Sequence, residues 1–257
     1  MSYYRGPQGT SVTLAFPPVT PGVKILLWVL GVSYAIQFVL ETIVRADGIL
    51  GYVALWPPML LQPPYPFWTL ATYALLHGGV WHLLFNLLGL YMFGGDVERM
   101  LGTPRFLRFF AYCVVGGGLL YAAVGLLRGV SSPVIGASAG VLGVSAAFAV
   151  FFPNRQLFVF PIPFPLSAKV VVIVYAVVTV LGSVSSNPRD PVAHLAHLGG
   201  LAVGALSAWL FKRGMSRGFG GGFGGGFGGW TGGGGRDPSR PPFRVVRGDR
   251  DDDRWTN

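Results

Sequence analysis

A serine stands in a glycine-bracketed turn, Gly136-Ala137-Ser138-Ala139-Gly140, at the head of an apolar stretch that runs to Phe152. Two distant apolar segments carry partners for it: His82 and Asn86 upstream, His197 downstream. A serine hydroxyl is a weak nucleophile until a hydrogen-bonded base takes its proton. The constellation suggests a serine nucleophile at work inside a bilayer, with His82 and Asn86 as further polar company. Singly, each residue has a plainer use: a serine at a helix start is usually a cap, and a glycine stripe is usually packing. It is the joint pattern that points to catalysis.

The elements that must position these residues belong in a membrane. The chain has 257 residues, 52% hydrophobic and 11% charged, with mean hydropathy +0.55, whereas soluble domains are about one quarter charged. Polar groups at bilayer depth are costly and usually functional. Six apolar spans are expected: Val23 to Val44, Val80 to Phe93, Phe106 to Leu127, Ser138 to Phe152, Ala168 to Val184 and His194 to Phe211. Several fall short of the roughly 20 residues that cross hydrocarbon, so they must be covered by partners in a bundle. The connection from Gly48 to Tyr73 is rich in proline and aromatic residues, which suits the membrane interface. Residues 1–20 lack the pattern of a cleavable signal peptide, so the first span reads as an uncleaved anchor. The lone Cys113 reads as a small buried hydrophobe with no internal disulfide.

Arginine and lysine placement sets an orientation. With the amino terminus in the cytoplasm, sixteen basic residues fall inside and only Arg45, Arg128 and Arg189 outside. Both termini are therefore expected to be cytoplasmic, in a prokaryotic plasma membrane. The same placement accounts for the net charge of +9 through an anionic inner leaflet, so no nucleic-acid partner is expected. Three regions follow: a cytoplasmic segment over 1–20, a membrane domain over 21–212, and a disordered cytoplasmic tail over 213–257. The tail's phenylalanine-spaced glycines from Phe219 onward cannot bury a core.

That topology brings His77, His82, Asn86, Ser138 and His197 to one level, in the outer halves of their spans. His82 and Asn86, four apart, share a helix face about 6 Å apart along the axis. His77 would point elsewhere on a continuous helix and suits a residue steadying the preceding loop. His197, Gly200 and Gly204 share a face on the last span, where glycines permit close helix approach. Ser138, Leu142, Ser145 and Ala149 form a stripe of modest side chains on the fourth; if the two faces meet, Ser138 reaches His197.

The motifs His77-Gly-Gly-Val-Trp-His82-Leu-Leu-Phe-Asn86, Gly136-Ala137-Ser138 and Ala196-His197-Leu198-Gly199-Gly200 with Gly204 resemble, in order and spacing, the signature of rhomboid intramembrane serine proteases. The resemblance covers roughly residues 20 to 212. It implies an all-α polytopic membrane protein, a six-transmembrane-helix rhomboid bundle with the disordered tail appended. It implies a serine endopeptidase that uses no cofactor and cleaves transmembrane protein substrates in or near the bilayer. In it Ser138 is the nucleophile and His197 the base, then acid. His82, Asn86 and the Ser138 backbone N–H would stabilise the oxyanion, with Gly136 and His77 supporting the loops and Gly200 and Gly204 the packing. Two positions depart from the usual pattern. Leu142 replaces an aromatic residue that stacks on the histidine in some members, leaving its orientation to packing, and Ala139 replaces a glycine.

Other readings are weaker. A catalytically inactive rhomboid-like adaptor would typically lack the serine or the histidine, and a transporter should show internal repeats. No acidic third member is expected. Asp96, Glu98, Glu41 with Arg45, and Asp190 read as surface ion pairs or solvated loop residues. His194 has no cluster around it that would complete a metal site. Oligomeric state is not encoded in any of these features.

Overall fold

The computed structural model describes residues 18–45, 47–129, 132–157, 164–184 and 191–218. Residues 1–17, Arg189, Asp190 and the glycine-rich tail from Phe219 lie outside the described residues. Helix α1 (Pro21–Val39) opens on a proline, whose missing N–H costs nothing in a first turn, and ends in a π-helical turn, Leu40–Val44. The Gly48–Tyr73 connection folds into short pieces, α2 (Asp47–Gly51), a 3₁₀ turn Pro57–Leu61 and α3 (Thr69–Thr72). Leu55 within it exchanges backbone hydrogen bonds with Val134 (3.1 and 2.9 Å), tying it to the segment before the serine. Helix α4 (Val80–Gly89) passes through a second π turn, Leu90–Gly94, into α5 (Gly95–Leu101). There follow α6 (Thr103–Arg128), α7 (Ser138–Phe151), α8 (Ala168–Val184) and α9 (Pro191–Gly218). A two-residue antiparallel ladder, β1 (Gln156–Leu157) with β2 (Leu166–Ser167), precedes α8.

Among the described residues, three helices are long and apolar enough to span a bilayer: Pro21–Val44, Thr103–Arg128 and His194–Met215. A fourth span results if the bent pair Thr69–Leu75 and Val80–Leu101 is taken together. Helix α7 and the apolar part of α8, Ala168–Val178, are shorter. Large apolar side chains face outward, including Trp28, Trp81, Phe85 and Leu181, each at least 66% exposed, as an apolar solvent requires. The polypeptide is an integral membrane protein, helical almost throughout its described residues.

Glycines close the centre of the bundle. A Cβ on Gly200 would lie 2.1 Å from the Ala139 carbonyl oxygen, and one on Gly204 2.3 Å from that of Gly143, so α7 and α9 touch backbone to backbone. A Cβ on Gly199 would lie 2.8 Å from the Gly116 oxygen, which brings α6 equally close. With no hydrophobic drive between helices in lipid, such close packing is the main source of association. The closest approach of α7 to α9 is therefore at Ala139 and Gly143, since backbone contact needs the smallest residues. The expected stripe lies alongside it, and its Ser138 reaches His197 of α9.

Two acidic residues behave differently from expectation. Glu98 is 3% exposed and caps α1 from 76 residues away. It accepts hydrogen bonds from the backbone N–H groups of Gly22 (2.8 Å) and Val23 (2.9 Å) and from the hydroxyls of Thr20 and Thr103. The orphan donors and positive dipole end of α1 explain why a buried carboxylate is tolerated there. Glu41 pairs with Gln37 rather than Arg45, since Arg45 ends the π turn in a left-handed conformation at φ 57°. Asp96 does form a surface ion pair, with Arg99 at 2.6 Å and Arg155 at 3.5 Å.

Candidate active site

Ser138 is the first residue of α7, and no side chain caps that helix. Its hydroxyl is committed elsewhere: Oγ lies 2.6 Å from His197 Nε2, across 59 residues of sequence. The turn before it depends on Gly136, whose φ of +122° suits glycine alone among common residues. A Cβ there would lie 2.6 Å from His82 Cε1, so the missing side chain leaves the space that the His82 ring occupies. The Gly136 N–H donates to the Tyr73 carbonyl at 2.9 Å, which holds the turn against the preceding connection. Ala139 fits because Gly117 faces it; a Cβ on Gly117 would fall 2.6 Å from the Ala139 methyl.

His82 and Asn86 lie on one face of α4. The Gly78 N–H donates to His82 Nδ1 at 3.3 Å, which leaves Nε2 to carry the ring proton on the side of Gly136 and Ser138. Asn86 is 4% exposed and donates through Nδ2 to the His82 carbonyl at 2.8 Å. His82, Asn86, Ser138 and His197 together line one cavity of about 320 Å³, completed by Phe85, Leu142 and Tyr175 among others. The arrangement provides a hydroxyl with an adjacent imidazole, and polar side chains around the same space.

Two positioning contacts escape a reading of the sequence alone. Gln37, buried on α1, brackets the backbone of His77: its Oε1 accepts from the His77 N–H and its Nε2 donates to the His77 carbonyl, both at 2.9 Å. The His77 ring is fully buried, its edge set against His82 with centroids 5.2 Å apart. His77 thus sits in the loop before α4, clamped by its main chain. The second contact is Tyr175 of α8, whose ring centroid is 6.4 Å from that of His197 and which lines the cavity opposite Leu142. An aromatic neighbour for the histidine comes from α8 instead of α7, so its orientation is not left to aliphatic packing. A glutamine in an apolar span was the available signal for the first contact; the second had none, since Tyr175 is one aromatic residue among many.

His197 Nδ1 has no hydrogen-bond partner among the described residues. Glu41, Asp96 and Glu98 are engaged elsewhere, and Asp190 lies outside the described residues. His194 approaches His197 edge-on, with centroids 6.1 Å apart. Among the described residues no group of three or more His, Cys, Asp or Glu could hold a metal ion.

A family profile described as a Rhomboid domain matches residues 65–214, from the connection before α3 nearly to the end of α9. This chain belongs to the rhomboid family. Among its relatives, "Rhomboid protein 1, mitochondrial" of Saccharomyces cerevisiae is 30% identical over 166 residues, 60% of this rhomboid and 45% of the yeast protein. "Putative rhomboid protease YdcA" of Bacillus subtilis is 30% identical over 154 residues, 56% of this chain and 67% of the relative. "Rhomboid protease GluP" of the same bacterium is 31% identical over 149 residues, 55% of this chain and 25% of that protein. The rhomboid described here therefore spans less than half the length of the yeast protein. Relatives from a mitochondrion and from bacteria alike mean that membership in the family does not carry with it the prokaryotic plasma membrane expected from sequence.

Proposed function

We propose that this rhomboid is an intramembrane serine protease that cleaves transmembrane protein substrates through a Ser138-His197 dyad. The observation that carries the reading is the 2.6 Å contact between Ser138 Oγ and His197 Nε2 within an apolar bundle. Relatives named as rhomboid proteases support it.

In the first step His197 Nε2 takes the hydroxyl proton as Oγ bonds to the substrate carbonyl carbon. The imidazolium then gives that proton to the leaving amine as the C–N bond breaks, and an acyl-enzyme remains. Water, deprotonated in turn by His197, hydrolyses the ester and restores Ser138. The Ser138 backbone N–H is one of the unpaired donors at the start of α7, and with His82 and Asn86 it forms the oxyanion site. Each such donor is worth about 3 to 4 kcal/mol in soluble proteases. Gly136 and His77 hold this geometry from the loops, and Gly200 and Gly204 from the packing of α9.

The bundle has six spans, α7 and α8 being carried by their neighbours, and both termini are cytoplasmic. The site then lies in the outer half of the membrane. Detergent-purified protein incubated with transmembrane reporter substrates should cleave them, whereas Ser138→Ala and His197→Ala, folded to the same extent, should not. A fluorophosphonate should label Ser138 in the native protein and label it less when His197 is replaced. Undiminished cleavage by Ser138→Ala would end the serine-protease reading.

A further inference from the structure

The end of the bundle away from Ser138 gathers basic residues, among them Lys24, Arg99, Arg105, Arg108, Arg155 and Lys212. Three of these are engaged nearby: Arg99 and Arg155 share Asp96, and Lys212 donates to the Val150 carbonyl at 3.1 Å. Arg105 and Arg108, on the first turns of α6, have no acidic partner among the described residues. Arg108 donates only through Nε, to the Pro104 carbonyl at 3.3 Å. The nearby Glu98 is buried and taken up by Thr20, Gly22, Val23 and Thr103.

These two arginines stand over a groove. Helices α6 and α9 touch at Gly116 and Gly199, but toward this end Phe109, Leu210 and Phe211 separate them and leave a cavity of about 430 Å³. Arg105 and Arg108 are among its lining residues, and both are exposed. Its walls are apolar and open to the bilayer, with Leu210 54% and Tyr112 61% exposed, and Ser207 is a hydroxyl within them. We propose that this groove is a binding site for an anionic phospholipid, the arginines taking the phosphodiester and the apolar walls an acyl chain.

Guanidinium forks match phosphate oxygens bidentately, and basic pockets between membrane helices are suited to acidic headgroups. A small soluble anion would leave the apolar walls unused, so the occupant is a lipid. A zwitterionic lipid brings a cation of its own next to Arg105 and Arg108, so the occupant is acidic. The site rests on the membrane setting of the chain and not on the role of Ser138.

Native mass spectrometry of the full chain in detergent, titrated with dioleoylphosphatidylglycerol or dioleoylphosphatidylcholine, tests the assignment. The native protein should retain one phosphatidylglycerol at least tenfold more tightly than phosphatidylcholine. The Arg105→Gln, Arg108→Gln protein should lose about 30-fold in that affinity, roughly fivefold per arginine. Lys169→Gln, a charge change outside the groove, should lose little. Ser207→Trp, which fills the groove but keeps both arginines, should also weaken retention. Equal affinity for the two lipids, unchanged retention in the double variant or in Ser207→Trp, or displacement of the lipid by equimolar glycerol phosphate would each overturn the proposal.

Discussion

Ser138 lies where a serine usually caps a helix, yet its hydroxyl is turned to His197 and the start of α7 is left uncapped. Ser138 and the His82 and Asn86 side chains line the same cavity. If they stabilise an oxyanion, Asn86→Ala should lower kcat at least about tenfold with little change in KM, because the interaction strengthens in the transition state. Replacing His82 as well should cost less than the product of the two single effects, since both serve one oxygen. A drop in thermal stability with activity falling only in proportion to folded protein would instead mark the pair as structural. Gln37 makes a second residue-scale prediction. Gln37→Leu leaves the buried N–H and C=O of His77 unpaired, at about 1 to 3 kcal/mol for each group, and should lower the unfolding midpoint in detergent. The residues proposed to do chemistry stand out in the sequence because their types are rare in apolar spans. Gln37 and Tyr175 do not, since their importance lies in partners 40 and 22 residues away.

At the scale of elements, spacing alone placed His82 with Asn86 and His197 with Gly200 and Gly204, and the helices bear those faces. Spacing also pointed to the Ser138 side of α7, and Ser138 does reach His197. What spacing could not give was that the closest backbone contact runs through the neighbouring Ala139 and Gly143. Gly200→Val should therefore be severely destabilising, because its Cβ would sit 2.1 Å from a carbonyl oxygen that has no room to shift. Gly31→Ala on α1, where nothing lies within 4 Å of an added Cβ, should be tolerated or mildly stabilising. Thermal unfolding of the two proteins side by side separates these outcomes. The Glu98 cap was equally hidden: a carboxylate beside Asp96 and Arg99 reads as surface, and only the fold shows that α1 begins against it. Glu98→Ala should loosen the first turn of α1, seen as faster hydrogen exchange at Gly22 and Val23.

For the whole molecule, the described basic residues divide by end. Arg45 and Arg128 close α1 and α6 at the end that holds Ser138, and the remainder cluster at the other. An impermeant thiol reagent applied outside intact cells should label cysteine introduced at Gly48 and should not label one at Gly214. Cys113 is buried and should give no background. The reverse labelling pattern would put the Ser138 end in the cytoplasm. Helix count was less legible than helix position, because α7 with 14 residues is too short to span alone and is held by the helices packed around it, α6 and α9 above all.

The cavity around Ser138 also bears on supply. Hydrolysis consumes one water for every bond broken, and hydrocarbon offers almost none. The cavity of about 320 Å³ has room for several waters beside polar groups able to hold them. An arriving peptide would displace part of that reservoir and leave the rest beside the ester it forms. If Ser138 acts as proposed, water for the second half of the reaction would then be at hand before the first half begins.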